Sequence, residues 1–221
     1  MSHAPHPHQP TVLLTGFAPF AGESMNPSWE AVRALQGGSL DGHRIETALL
    51  PCEFDAAPVA LRHALRKFKP HAVIAVGLAG GREGISLERV AVNVIDARIP
   101  DNAGKQWVDV PVVRSGPVGY FSRLPLKAAL AALQAAGIPA HISQTAGTYV
   151  CNQVFYTLLH GLRRGHQTRC GFVHVPWLPE QAAAHAQPGM PLEQMIAALT
   201  LIVHVTLTTR HDIRAAAGAE A

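Results

Sequence analysis

Thr11-Val12-Leu13-Leu14-Thr15-Gly16-Phe17, followed by Asn26-Pro27-Ser28-Trp29-Glu30, decides the fold class. The first run is short, apolar and closed by Gly16-Phe17, the pattern of a strand buried on both faces. The second opens a helix, with Asn26 as N-cap and Pro27 at the first helical position, where the missing N–H costs nothing. A buried strand feeding a helix is half of a strand–helix–strand unit. The alternation continues outward. Residues 44–50 and 71–77 read as strands around an amphipathic helix at 54–68. Residues 85–94 read as an extended segment. A helix at 126–136, a strand at 140–143, a helix at 149–164, a strand at 170–175 and a last helix at 192–208 follow. This order predicts an α/β three-layer sandwich, a mostly parallel central sheet flanked by helices. Residues 95–123 are rich in proline, asparagine and glycine, and a loop of that length is commonly functional or partner-binding.

Composition narrows the function classes. The 221 residues fit one domain, expected over 11–221, behind a disordered arm at residues 1–10. Nearly half the residues are hydrophobic and the net charge is only +3. Arg163, Arg164 and Arg169 are the nearest thing to a basic cluster, with no aromatic interleaving, so nucleic acid is not expected as a partner. The arm, with His3, His6 and His8, is polar and broken by prolines, unlike a secretory signal. The apolar stretch at 195–207 is too short to span a bilayer. Three cysteines, Cys52, Cys151 and Cys170, form no close pair. They argue against a disulfide framework or zinc ribbon and for a reducing, cytoplasmic setting without a membrane partner.

Cys151 is the cysteine at the mouth of a predicted helix. Unpaired helix N–H groups there stabilise a thiolate, Thr148 is a candidate cap, and Ala146-Gly147 allows a tight turn. In an open α/β sheet, ligands gather beyond the carboxyl ends of strands, which points to the loops after Phe17, Gly77, Ser143 and His174. Among the internal histidines, His160 lies nine residues along the helix from Cys151, about two and a half turns away. His166 sits in a polar turn, His204 inside the last helix, and His141 at the strand end expected to be far from the site. His174 remains, at the end of Cys170-Gly171-Phe172-Val173-His174. An ordinary core histidine is the competing reading. Glu88 shares a two-residue period with Val90, Val92 and Val94, and a carboxylate on a valine face needs a partner. A histidinium would serve, as would an arginine. Glu83, in a glycine-rich loop, is the rival acid. The same loop, Gly77-Leu78-Ala79-Gly80-Gly81-Arg82, lacks the Lys-Ser/Thr of a phosphate loop. Phe17 and Phe20 are core residues or the walls of a pocket.

These residues carry a resemblance. Residues 77–93 and 142–152 resemble the glutamate and cysteine signatures of the type I pyroglutamyl peptidases, also called pyrrolidone-carboxylate peptidases, a family of cysteine peptidases. Phe172-Val173-His174-Val175-Pro176 is similar to the segment that supplies the family's histidine, and the likeness extends from Thr11 to Arg210. It implies hydrolysis, without cofactor or metal, of an N-terminal pyroglutamyl residue from peptides. It assigns Cys151 as nucleophile with His174 and Glu88, and sets Arg98 near the catalytic centre to assist at the oxyanion. Phe17, Phe20 and Tyr149 match pocket walls, Asn26 a position near the lactam, and Leu78 a backbone contact where many members carry glutamine. A homotetramer is implied as well, and Trp107 stands where proline is usual. The alternatives are another small-amide cysteine hydrolase and a non-catalytic α/β ligand-binding module.

Overall fold

The computed structural model describes residues 9–164 and 168–218. Most of the expected N-terminal arm, residues 1–8, and the turn containing His166 lie outside the described residues. The chain runs β1 (Thr11–Phe17), α1 (Pro27–Arg33), β2 (Ser39–Leu40), β3 (His43–Leu50), α2 (Ala56–Phe68), β4 (Ala72–Leu78), β5 (Ile85–Glu88) and β6 (Val90–Val92). It continues through β7 (Gly119–Phe121), α3 (Leu126–Ala135), β8 (Ala140–Ser143), α4 (Val150–Gly161), β9 (Arg169–Val175), α5 (Pro179–His185) and α6 (Leu192–Thr208). Seven strands form one sheet in the order β2-β3-β1-β4-β9-β5-β8, and β6 pairs with β7 in a separate hairpin. No helix among the described residues is long and apolar enough to cross a membrane.

The central strands are buried on both faces, so they read as continuous apolar runs. Leu13, Val73 and Phe172 point to one face, where α2 and α4 cover them with Leu61 and Phe155. Their neighbours Leu14, Ile74 and Val173 point to the other, against Leu130 of α3 and Leu199 of α6. All of these but Leu130 are fully buried, each worth about 1.5–3 kcal/mol relative to exposure. Asn26 caps α1 as expected, its Oδ1 accepting from Ser28 N at 3.0 Å, with Pro27 in the first turn.

Chain direction differs from expectation at one side of the sheet. Strands β3, β1, β4 and β9 are mutually parallel, but β5 runs antiparallel to β9 and β8 follows β5. The extended segment at 85–94 is also two strands. At Arg89 the backbone N–H donates to Ser143 O (2.9 Å) while Ser122 N donates to Arg89 O (2.8 Å), which turns the chain out of the main sheet. Glu88 therefore does not share a face with Val90, Val92 and Val94; its sheet neighbour on that face is Ser86. Inside the loop-rich segment, β7 and an Ile95–Val110 bridge give local order that turn residues had masked.

Candidate active site

The register of three strands assembles the site. Glu88 lies opposite Phe172, and Ser86 lies opposite His174. Glu88 and His174 are thus diagonal neighbours on one face, within reach of two long side chains. The His174 Nδ1–H donates to Glu88 Oε1 at 2.7 Å, with Glu88 fully buried and His174 3 % exposed. An ionised carboxylate only accepts, so the proton is on Nδ1 and Nε2 is left as the acceptor. The Phe172 ring packs against the imidazole at 4.8 Å between centroids. On the other side, Gly77 of β4 lies beside His174. A Cβ on Gly77 would come within 2.9 Å of both Cys151 Sγ and the Phe172 ring. The missing side chain is what makes room for the sulphur.

Cys151 reaches this spot from the first turn of α4. Tyr149 is the N-cap residue. Thr148 does not cap the helix; its hydroxyl donates to Asp96 O at 2.7 Å, fastening the preceding loop instead. Gly147 takes a φ of +76°, the conformation that favours glycine, at the turn expected there. Val150 and Cys151 stand where helix N–H groups have no intrahelical acceptor, so their donors are free for an oxyanion. Asn152 fixes α4 to β6: its Oδ1 accepts from Val92 N at 3.0 Å, and its Nδ2 donates to Val92 O and Val94 O at 2.9 and 3.0 Å.

Burial governs the electrostatics. It pushes the Cys151 thiol well above its ordinary value, and Cys52 and Glu88 add to the effect. Arg82 and the helix N–H at Cys151 pull the other way without overcoming it. The helix N–H thus acts in the direction the sequence suggested, and burial outweighs it. Burial likewise holds the imidazole of His174 below its usual value, against the opposite pull of Glu88 and with help from Arg82. For Glu88 burial would raise the carboxyl, but His174, Arg82 and Ser143 together keep it low and ionised. Burial thus favours the uncharged forms of Cys151 and His174, while the partners of Glu88 favour its carboxylate.

Cys151 and His174 open on a cavity of about 270 Å³. That is near the lower end of ligand pockets and suits a small ring. Phe17, Phe20, Leu78 and Tyr149 supply its apolar walls, joined by Asn26, Cys52 and Arg82.

A sequence model of the pyroglutamyl peptidase family matches residues 10–209. The chain is 54% identical to the pyrrolidone-carboxylate peptidase of Chromobacterium violaceum, over 91% of this chain and 95% of that one. It is 51% identical to pyrrolidone-carboxylate peptidase 1 of Photorhabdus laumondii, over 94% and 98%. The crystal structure of pyroglutamyl peptidase I from Bacillus amyloliquefaciens superposes with a TM-score of 0.91 at 41% identity, covering 94% of this chain and all of that one. A mutant pyrrolidone carboxyl peptidase from the hyperthermophile Pyrococcus furiosus gives 0.87 at 42%, over 89% and 98%. The chain belongs to the pyroglutamyl peptidase family.

The pocket of this pyroglutamyl peptidase family member is held by contacts that reach well beyond its walls. The Tyr149 ring meets Phe54 edge-on at 5.2 Å, and its hydroxyl donates to Pro100 O at 2.9 Å. Phe20 packs with Leu78, Trp177 and Ala182, and Phe17 faces Phe172. Asn26 is 2 % exposed and largely committed. Its Oδ1 accepts from Ser28 N and Ser28 Oγ, and its Nδ2 donates to Ala18 O at 3.1 Å. One Nδ2–H remains for a ligand. Arg98 is exposed and lines a neighbouring cleft with Asp96, Ile99 and Thr148; this cleft meets the cavity at Gly147 and Tyr149. His141 is not remote, because the reversed β8 sets it level with Ser86 and His174. It contacts Ser86 Oγ at 3.2 Å and does not line the cavity. His160 turns away to Tyr120, and Glu83 is exposed. Sequence reasoning missed two members of the wall. Cys52 lies two residues beyond the end of β3. Arg82 was read as part of a glycine loop, although a buried carboxylate six residues on was signal enough for a cation.

Proposed function

We propose that this chain is a cysteine omega-peptidase that removes an N-terminal pyroglutamyl (5-oxoprolyl) residue from peptides, acting as one α/β domain over residues 11–221. Family membership supports the substrate class. The observation that carries the mechanism is the shared cavity of Cys151, in the first turn of α4, and His174, whose Nδ1–H is held by buried Glu88. In this reading the Cys151 sulphur attacks the pyroglutamyl carbonyl carbon as its proton passes to His174 Nε2. The tetrahedral oxyanion is met by the backbone N–H of Cys151. His174 then gives the proton to the departing amine, leaving a thioester. Water attacks that thioester with His174 again as base, and pyroglutamate leaves. Glu88 orients the imidazole and stabilises its charged form. Arg98, on the adjoining cleft, is read as assisting at the oxyanion from the family resemblance.

The lactam differs from proline by a ring carbonyl and an amide N–H. The apolar walls accept either ring, so discrimination falls to backbone groups around Leu78 and the remaining Nδ2–H of Asn26. A site that hydrogen-bonds its substrate rejects an analogue lacking those groups far better than an apolar slot rejects a change of shape. Pyroglutamyl and prolyl fluorogenic amides, compared by kcat/KM, test this. A preference of at least about a hundredfold for pyroglutamyl is expected; comparable values would contradict the lactam pocket.

The free thiols Cys52, Cys151 and Cys170 support a cytoplasmic setting. Val118 and Phe121, 92 % and 74 % exposed beside the β6–β7 hairpin, support a homo-oligomer, read as a homotetramer from the family resemblance.

A further inference from the structure

Among the described residues, Arg82 is the only Arg, Lys, Asp or Glu on the cavity wall, and the mechanism above does not use it. Its Nη1 donates to Glu88 Oε1 at 2.6 Å, the same oxygen that accepts from His174 Nδ1 at 2.7 Å. Its Nη2 donates to the carbonyl of Thr145 at 3.1 Å. Thr145 lies in the loop between β8 and α4 that delivers Cys151. One planar guanidinium thus joins the end of β5 to the cysteine loop, through two donors in a fixed fork. The side chain of Arg82 is 24% exposed and that of Glu88 not at all, so the pair closes one wall of the site.

We infer that Arg82 is a positioning residue for the hydrolysis: its guanidinium clamps the Glu88 carboxylate to the loop that carries Cys151 and sets a positive charge beside the His174–Glu88 pair. The inference rests on the peptidase reading. A buried carboxylate beside an imidazole stabilises the imidazolium, and a histidine that keeps its proton is no base. A second cation on the same oxygen shares the carboxylate and repels a proton on the ring. The titratable and charged groups bearing on His174 are Glu88 from β5, Arg82 from the loop after β4 and Cys151 from α4. Cys52 bears on Cys151, and His141 of β8 lies in the field of the same Arg82 and Glu88.

Arg82→Met and Arg82→Lys, assayed across pH with a pyroglutamyl amide, test this beside wild type and Cys151→Ser. Arg82→Met should lower kcat about tenfold, leave KM within about twofold, and move the acid limb of kcat/KM upward by roughly one pH unit. Arg82→Lys should keep the acid limb near its wild-type position, because the charge remains. Its kcat should still fall severalfold, because an ammonium does not span both acceptors as the fork does. An unmoved acid limb in folded Arg82→Met, or a loss wholly in KM, overturns the inference and makes Arg82 a structural or substrate-contacting residue. If thermal melting shows Arg82→Met unfolded, Arg82→Lys decides, and wild-type kcat in that variant overturns the clamp. Activity in Cys151→Ser would instead remove Cys151 as the nucleophile, and with it the mechanism on which this inference rests.

Discussion

At the scale of residues, the site works by keeping charge out until a substrate arrives. A thiolate–imidazolium pair would place two more charges beside the buried Glu88–Arg82 ion pair. Burial favours the thiol of Cys151 and the neutral ring of His174 instead. In the proposed mechanism the sulphur becomes a nucleophile only as its proton moves, which couples activation to a carbonyl in place. The sign for pH follows from His174. Its value lies below the ordinary 6.5, so the base form survives into mild acid, and the acid limb of kcat/KM should fall below about pH 6.5. The thiol lies above its ordinary 9.0, so inactivation of the free enzyme by iodoacetamide should still be rising at pH 9. An alkylation rate already level at pH 6 would mean a resting ion pair and contradict this account. Gly77 makes a second point at this scale. A methyl there meets Cys151 Sγ and the Phe172 ring at 2.9 Å, so the sulphur or the ring must shift. Gly77→Ala should lower kcat/KM about a hundredfold, since a 1 Å misplacement of a reacting group costs that much. Wild-type kinetics in that variant would show that the sulphur is not held against the strand.

At the scale of elements, α4 is the part that must not shift. Its first turn carries Cys151, and the next residue, Asn152, is buried and bonded three times to the backbone of residues 92 and 94. Asn152→Ala would leave those groups unpaired at about 1–3 kcal/mol each. We expect a melting temperature lower by several degrees together with a reduced kcat, and an unchanged melting curve would contradict this role. The strands and helices that build the frame were legible because their faces are unambiguous. Residues 72–78 are apolar throughout, residues 11–17 are so apart from two threonines, and Asn26-Pro27 marks a helix start with two separate signals. Direction was not legible. Nothing in Ile85-Ser86-Leu87-Glu88 or Ala140-His141-Ile142-Ser143 says which way a four-residue strand runs. The reversal is a tertiary choice made by pairing with β9. That choice undid the reason for setting His141 aside; His174 is favoured by its bond to Glu88 and its place on the cavity wall, where His141 is absent. The break at Arg89 was hidden for the same cause, since an alternating pattern continues across it while the hydrogen bonds change partners. Glu88 was found through its buried charge, which calls for a partner wherever the strand ends; its partners are both of those weighed, a histidine and an arginine.

At the scale of the whole molecule, the sheet brings together groups that are far apart in sequence. Phe17 ends β1, Leu78 ends β4, and His174 lies near the end of β9. The short reversed strands β5 and β8 stop part-way along β9, level with Phe172, and so bring Glu88 and the cysteine loop to the same place. The small cavity, the two helical layers and the match across residues 10–209 are consistent with one another at this scale. The account rests on a thioester at Cys151. Acid-quenching wild-type enzyme during turnover of a pyroglutamyl amide, then mapping the acyl group by peptide mass spectrometry, reads it directly. The account predicts one pyroglutamyl group on the peptide containing Cys151 and none in Cys151→Ser; an acyl group on Cys52, or efficient turnover by Cys151→Ser, would contradict it.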